Sequence, residues 1–222
     1  MSYCKKCGYL ELFFGPMWSG KSTKMAERIA EYADLGMRCV VVNHLKDERV
    51  ESSGTYDDGK FSQHGSSNFH LSDHIHKLKT DSLSTIDVSD YDVIAVDECQ
   101  FFGKDLLEEI PKWVNKEYKI VICAGLDGDA ECNLFGNILY LIPYADKVKK
   151  LQAQCTVCLE ELRKSGFRGM RSITANAPFS ARLVASKGSQ ILVGGSESYT
   201  VMCRYHHQKH LSAVNSTKSQ DF

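Results

Sequence analysis

No apolar run in this chain approaches the roughly 20 residues needed to cross a bilayer, so a membrane-embedded role is not expected. The opening Met-Ser-Tyr-Cys-Lys-Lys lacks the apolar core of a secretory signal. Excess charge is also missing. With 27 basic and 28 acidic residues the net charge is −1, which argues against an extended basic surface and hence against nucleic acid as a partner. No internal repeat is visible. What remains is a chain of 222 residues, 43% hydrophobic and 25% charged, enough for one sizeable globular domain with a small appendage. Nine cysteines without a secretory signal point to a reducing compartment, the cytoplasm, and to metal binding over disulfides.

The strongest local signal is Gly15-Pro16-Met17-Trp18-Ser19-Gly20-Lys21-Ser22, which satisfies G-x-x-x-x-G-K-[ST]. It follows the apolar run Leu10–Phe14 and opens a helix-favouring stretch, Lys21–Leu35. Glycines there let the backbone N–H groups converge on an anion, and the helix N-terminus adds its dipole. Lys21 is then placed for the β- and γ-phosphates and the Ser22 hydroxyl for Mg²⁺. The run from Gly15 through Thr23 is therefore expected to bind a nucleoside triphosphate.

Alternating apolar strands and amphipathic helices extend from Leu10 to about Val148, the pattern of an α/β, P-loop NTPase-like domain with a mainly parallel sheet flanked by helices. Expected strands are Leu10–Phe14, Arg38–Asn43, Val93–Val96 and Lys119–Ala124, and their continuous Val/Ile/Leu character fits burial on both faces. A second helix is expected over Lys104–Asn115, with Leu106, Leu107, Ile110, Trp113 and Val114 at helical spacing. Glu51–Ser67 reads as a surface loop. The expected division is a nucleotide-binding domain over 1–150, a small second domain over 151–211 and a disordered tail over 212–222.

Asp97 and Glu98 follow Val93–Val96 directly. An acid at the end of a buried strand can hold the Mg²⁺ shell, the role expected of Asp97, with Gln100 nearby in the nucleotide site. Glu98 is then available as a base. Facing water it would serve an ATPase, and facing a hydroxyl of a bound molecule it would serve a kinase.

Cys155-x-x-Cys158 and Cys203-x-x-His206 offer three thiolates and an imidazole, a donor set for a closed, structural Zn²⁺ site. His207 is an alternative to His206, and Cys4-x-x-Cys7 is a competing pair. Cys39, Cys99, Cys123 and Cys132 lie in or near apolar segments and are expected to be packing residues.

In chain order the phosphate loop, Lys46-Asp-Glu-Arg49, Asp97-Glu-Cys-Gln-Phe-Phe102, Leu126-Asp-Gly128, Phe135-Gly136, Cys155-x-x-Cys158, Val193-Gly-Gly195, Tyr199 and Cys203-Arg204 resemble the zinc-containing, cellular-type (type II) thymidine kinases. The resemblance covers about Leu10 to Gln208. It implies transfer of the γ-phosphate of MgATP to thymidine, in a homotetramer inhibited by dTTP. It also implies that Glu98 is the base for the 5′-hydroxyl and that Met17, Phe101, Leu126 and Phe135 line the thymine pocket. Phe179–Tyr199 matches a lasso that closes over the nucleoside, with Phe179, Val193, Gly194 and Tyr199 as substrate contacts. Asp47 and Arg49 match a pair near the phosphates, Arg49 being the candidate for stabilising transition-state charge. Three features depart from the family: Ala130 stands where an aromatic stacks on thymine, Thr55-Tyr56-Asp57 lacks a histidine, and Leu159–Pro178 is long.

Overall fold

The computed structural model describes residues 7–47, 60–61, 69–70, 75–166, 175–183 and 195–218. By its internal contacts the chain divides into two compact units, residues 1–14, 20–127 and 135–150 in the first, and 15–19, 128–134 and 151–222 in the second.

The first unit is built on a parallel sheet. Strands β1 (Tyr9–Phe14), β2 (Cys39–His44), β5 (Ile75–Thr80), β6 (Val93–Val96), β7 (Ile120–Gly125) and β8 (Lys147–Lys150) are arranged β5-β2-β6-β7-β1-β8, every neighbouring pair parallel. A separate two-stranded antiparallel pair, β3 (Lys60–Phe61) with β4 (Phe69–His70), lies between β2 and β5 in the chain. The remainder of the expected loop Glu51–Ser67 lies outside the described residues.

The four inner strands are the four anticipated ones, shifted by a residue at most ends. Their Val, Ile and Leu side chains are buried because helices cover a parallel sheet on its faces. Helix α1 (Lys21–Asp34) turns Met25, Ala26 and Ile29 inward. Helix α2 (Asp105–Asn115) buries Leu106, Ile110, Trp113 and Val114 and tolerates Pro111 inside it. Both edge strands escape the sequence reading. β8 reads Lys-Val-Lys-Lys and is exposed throughout, and β5 mixes lysine and histidine with its apolar residues. Partner hydrogen bonds from a single inner neighbour suffice to hold such strands, and edge lysines discourage pairing with other chains.

A charge sits fully buried on β1. Glu11 in β1 is fully buried, with Arg28 Nε at 2.9 Å and Lys147 Nζ at 2.7 Å. Cations from α1 and from the edge strand thus neutralise a carboxylate that would be very costly alone.

The second unit has short elements. Strands β9 (Ala153–Gln154) and β10 (Asn176–Ala177) pair antiparallel, as do β11 (Phe179–Arg182) and β12 (Tyr199–Met202). Helix α3 (Thr156–Lys164) occupies the first part of the long segment noted above, and α4 (Arg204–Lys218) ends the described chain. The tail expected from Ser212 is instead helical through Lys218, since extending a formed helix adds a hydrogen bond for each residue fixed. The core here is Ala153, Cys155, Ala177, Ala181, Val201, Met202 and Cys203, mostly small side chains. Such a core supplies little hydrophobic stabilisation, which makes a further clip valuable.

Candidate active site and metal centre

In the first unit the site residues gather where β6 and β7 end. Asp97 continues the ladder, its N–H donating to Val42 O at 2.9 Å, and its Oδ1 accepts the Glu98 N–H at 2.9 Å. Glu98 is left-handed, φ 51 and ψ 43, a strained conformation for a residue with a Cβ. Immediately after it, Cys99–Phe101 form one turn of 3₁₀ helix. Asp97, Glu98 and Gln100 are all buried. The Gln100 amide is used from both ends: Nε2 donates to Glu98 Oε2, and Oε1 accepts the Leu126 N–H at 2.9 Å. Gln100, expected among nucleotide contacts, thus holds the Glu98 carboxylate and ties it to the end of β7. Gly136, with φ +65, makes room for this arrangement. A Cβ there would lie 2.4 Å from Gln100 O and 2.6 Å from Gln100 Cα.

Lys21 is buried as the first residue of α1, Ser22 and Thr23 follow it, and Gly20 before it is left-handed at φ 81. Phe101 and Phe135 meet edge-on with centroids 6.1 Å apart. His44, at the end of β2, packs at 5.8 Å from Phe101 and 4.7 Å from Phe102, and its Nδ1 accepts the Lys46 N–H at 2.9 Å. Burial, with the Lys46 ammonium, holds the His44 pKa below the ordinary imidazole value. Nothing in the sequence singled out His44, which ends a valine-rich strand like any capping polar residue. Asp127, in the Leu126-Asp-Gly128 motif, is paired with Lys150 Nζ at 2.7 Å.

In the second unit, Gly15 approaches Leu151 so closely that a Cβ would fall 2.4 Å from its carbonyl oxygen. Ser19 Oγ donates to Pro16 O at 2.8 Å, and Met17 N–H donates to Ser180 Oγ at 3.0 Å. Ser180 carried no sequence signal, because its role is a contact with a residue far away in the chain. Met17 and Trp18 pack on the small core of this unit. Trp18 and Tyr199 also line a cavity of about 780 Å³, together with Val157, Leu183 and Met202. Phe179 and Tyr199 begin the two paired strands β11 and β12, and Arg182 Nη2 donates to the Tyr199 hydroxyl at 3.3 Å. Val193, Gly194, Arg49 and Tyr56 lie outside the described residues. Ala130 lies in a turn closed by Asp129, whose Oδ1 accepts the N–H groups of Glu131 and Asn133. Cys132, expected to be a packing residue, is exposed in this same turn with φ 67.

Cys155, Cys158, Cys203 and His206 come together with their ligand atoms all within 4.8 Å. Each pair straddles the start of a helix: Cys155 caps α3 with Cys158 in its first turn, while Cys203 precedes α4 and His206 lies in its first turn. Strands β9 and β12 run straight into the two leading cysteines. His206 Nδ1 faces the three sulfurs at 3.5 Å (Cys155), 3.4 Å (Cys158) and 3.3 Å (Cys203), and the Cys158 and Cys203 sulfurs are 3.9 Å apart. Burial acts to raise the Cys155 thiol, but the backbone N–H groups of Cys158 and Cys203, with His206, outweigh it and bring the pKa down to about 7. Burial and then the neighbouring Cys155 push the Cys158 thiol up to about 12. Neighbouring thiolates repel, and a cation among them removes that penalty.

His207, the alternative ligand, turns elsewhere. Its ring stacks on Phe179 at 4.8 Å, and its Nε2 lies 3.0 Å from Ala130 O. Of the competing N-terminal pair, Cys7 is exposed and Cys4 lies outside the described residues.

The thymidine kinase family model matches residues 8–207. The chain belongs to the thymidine kinase family. Among curated relatives, the thymidine kinase of Amsacta moorei entomopoxvirus is 33% identical over 198 residues, covering 88% of this chain and 95% of that protein. The thymidine kinase of Monkeypox virus (strain Zaire-96-I-16) is 36% identical over 197 residues, covering 89% of this chain and 95% of that protein. Among solved structures, the flagellar accessory protein FlaH from Methanocaldococcus jannaschii aligns with a TM-score of 0.44 and 15% identity, over 68% of this chain and 74% of that one. The family is one of enzymes, and this chain has a parallel six-stranded sheet and a Cys₃His group suited to a metal. No described helix is long and apolar enough to cross a membrane.

Proposed function

We propose that this protein transfers the γ-phosphate of MgATP to the 5′-hydroxyl of thymidine, giving dTMP and ADP in nucleotide salvage, with deoxyuridine as a second substrate. The observation that carries this reading is the buried Glu98 at the end of β6, oriented by Gln100, in a chain whose family match spans nearly its whole length. A base held this way serves a hydroxyl better than free water, because its carboxylate has a fixed direction.

In this reading Glu98 accepts the 5′-hydroxyl proton as the oxygen attacks phosphorus. Gln100 is a positioning residue for that carboxylate. Gly15 to Thr23 cradle the phosphates, Lys21 offsets charge on the β- and γ-phosphates, and Arg49 adds a cation as charge shifts to the leaving group. Mg²⁺ would be held by Ser22 and Asp97 and would neutralise phosphate charge. Met17, Phe101, Leu126, Phe135, Phe179, Val193, Gly194 and Tyr199 form the nucleoside side of the site. The domain division is residues 1–150 for nucleotide and 151–211 for metal and lasso. A homotetramer under dTTP feedback, in the cytoplasm, completes the reading.

The Cys155, Cys158, Cys203 and His206 group fits Zn²⁺. A tetrahedron with Zn–S of ~2.3 Å and Zn–N of ~2.0 Å has S···S edges of ~3.8 Å and S···N edges of ~3.5 Å. The 3.9 Å and 3.3–3.5 Å separations match those edges. Four protein donors leave no open position, so the ion would be structural and would clip β9, α3, β12 and α4 together.

The test is phosphate transfer from ATP to a panel of deoxynucleosides. Thymidine should be the preferred acceptor, with little ADP formed in its absence. Equal ATP turnover with and without nucleoside would overturn the kinase reading in favour of an ATPase.

A further inference from the structure

The geometry points to Glu161 as the outer partner of the metal centre, the carboxylate that fixes the tautomer and ring plane of His206. This rests on the zinc reading above and extends it to a residue that is not a ligand.

His206 presents Nδ1 to all three sulfurs, so Nδ1 is the nitrogen that would take the metal. A neutral imidazole bound through Nδ1 carries its single proton on Nε2. That nitrogen lies 3.4 Å from Glu161 Oε1. The His206 side chain is 9% exposed and that of Glu161 65%, so the imidazole is enclosed on its sulfur side while its other nitrogen meets a carboxylate at the rim. Metal-bound histidines commonly donate their second N–H to a carboxylate, which fixes ring orientation and raises ligand basicity.

The placement follows from one helix. Cys158 and Glu161 are three residues apart in α3 and share a face, so the helix that supplies a thiolate also supplies the carboxylate. The helix thereby brings an acidic residue to a site whose fourth donor is an imidazole, the one ligand type here with a second polar atom to satisfy. The opposing view is an exposed ion pair at the rim, which would contribute almost nothing.

The experiment uses the full zinc-loaded chain in competition with a chromophoric zinc chelator, alongside absorption spectra of the cobalt(II)-substituted protein. Glu161→Ala should lower zinc affinity roughly 10–100-fold, with one zinc per chain still reached at saturation. Its cobalt spectrum should shift as the imidazole loses its fixed orientation. Glu161→Gln keeps an acceptor oxygen at similar reach and should retain more affinity than Glu161→Ala. Glu160→Gln removes the same charge from the exposed neighbouring position and should bind as the wild type does. Wild-type affinity in Glu161→Ala, or an equal loss in Glu160→Gln and Glu161→Gln, would overturn the inference while leaving the zinc site standing. A wild-type chain without zinc, or one whose zinc survives Cys158→Ser unchanged, would overturn the metal reading itself and the inference with it.

Discussion

Replacing Gly136 by alanine tests whether the Gln100 bracket holds the proposed active site together. The new Cβ would sit 2.4 Å from Gln100 O and 2.6 Å from Gln100 Cα, and both obstacles are backbone atoms. Relief to ordinary contact distance needs a shift of roughly 1 Å, in a region packed at near-crystalline density. The φ of +65 adds a left-handed strain of about 1–2 kcal/mol for alanine, and the overpacking about 1–3 kcal/mol. Together these remove about 2–5 kcal/mol, a large part of the 5–15 kcal/mol typical of a domain. Any shift of Gln100 also moves the donor to Glu98 and the acceptor of the Leu126 N–H. If Glu98 is the base proposed above, displacing it by about that distance costs ~10²-fold in rate. Urea denaturation would measure the first effect. Thymidine phosphorylation, at a temperature where the variant is folded, would measure the second. Gly103→Ala is the control, since its Cβ would meet only Asp105 Oδ1 at 3.9 Å, and it should stay within about 0.5 kcal/mol of the wild type. A Gly136→Ala protein with unaltered midpoint and unaltered kcat would refute the reasoning.

Glu98→Gln should bind ATP and thymidine normally while kcat falls roughly 10²–10⁴-fold, and an unchanged kcat at neutral pH would move the base elsewhere. Metal analysis should find one zinc per chain, and Cys158→Ser should lose it with a drop in the thermal midpoint of ~4–8 °C, as expected for ~2 kcal/mol in a chain of this size. The depressed His44 pKa has a definite sign: the unfolded chain takes up its proton first, near pH 6.5, so this stability is complete above that pH and is lost as the solution is acidified toward the folded pKa. His44→Asn keeps an acceptor for the Lys46 N–H and should flatten the stability curve between pH 6.5 and 5; a slope identical to the wild type would show that other groups set it. Ala130→Phe should lower the KM for thymidine, consistent with about 0.5–1.5 kcal/mol from an aromatic stack, and a raised KM would show that the space beside the base is already filled.

The division between what could and could not be read from the sequence follows the sheet itself. The inner strands β1, β2, β6 and β7 are buried on both faces, so each had to be mainly apolar, and each was legible. The edges β5 and β8 have one strand neighbour and need no such run. In β8 the lysines have separate uses: Lys147 neutralises Glu11 and Lys150 pairs with Asp127. Those uses are invisible in Lys-Val-Lys-Lys because both partners lie far along the chain. Glu11 is the complementary case, a charge inside an apolar run that the strand pattern could absorb but not explain. Its burial makes sense only once α1 and the edge strand each supply a cation.

The Cys₃His group shows the same boundary more sharply. Paired spacings of Cys155 with Cys158 and of Cys203 with His206 were readable because each pair is local, two ligands on one turn at a helix start. The choice between His206 and His207 was not local, and spacing alone left it open. It is decided by what each ring meets: His206 meets the three sulfurs, while His207 is taken by Phe179 and by the Ala130 carbonyl. Gln100 obeys the same rule in the first unit, for its identity suggests only a polar contact until Leu126 supplies the second partner. Local spacing therefore names the donors and the acids of this protein, whereas the groups that aim them, Gln100 at Glu98 and Glu161 at His206, are fixed by tertiary contact. Catalysis and metal affinity are sensitive to aim at the scale of about 1 Å, so the aiming residues are where substitutions should divide rate from binding and affinity from stoichiometry.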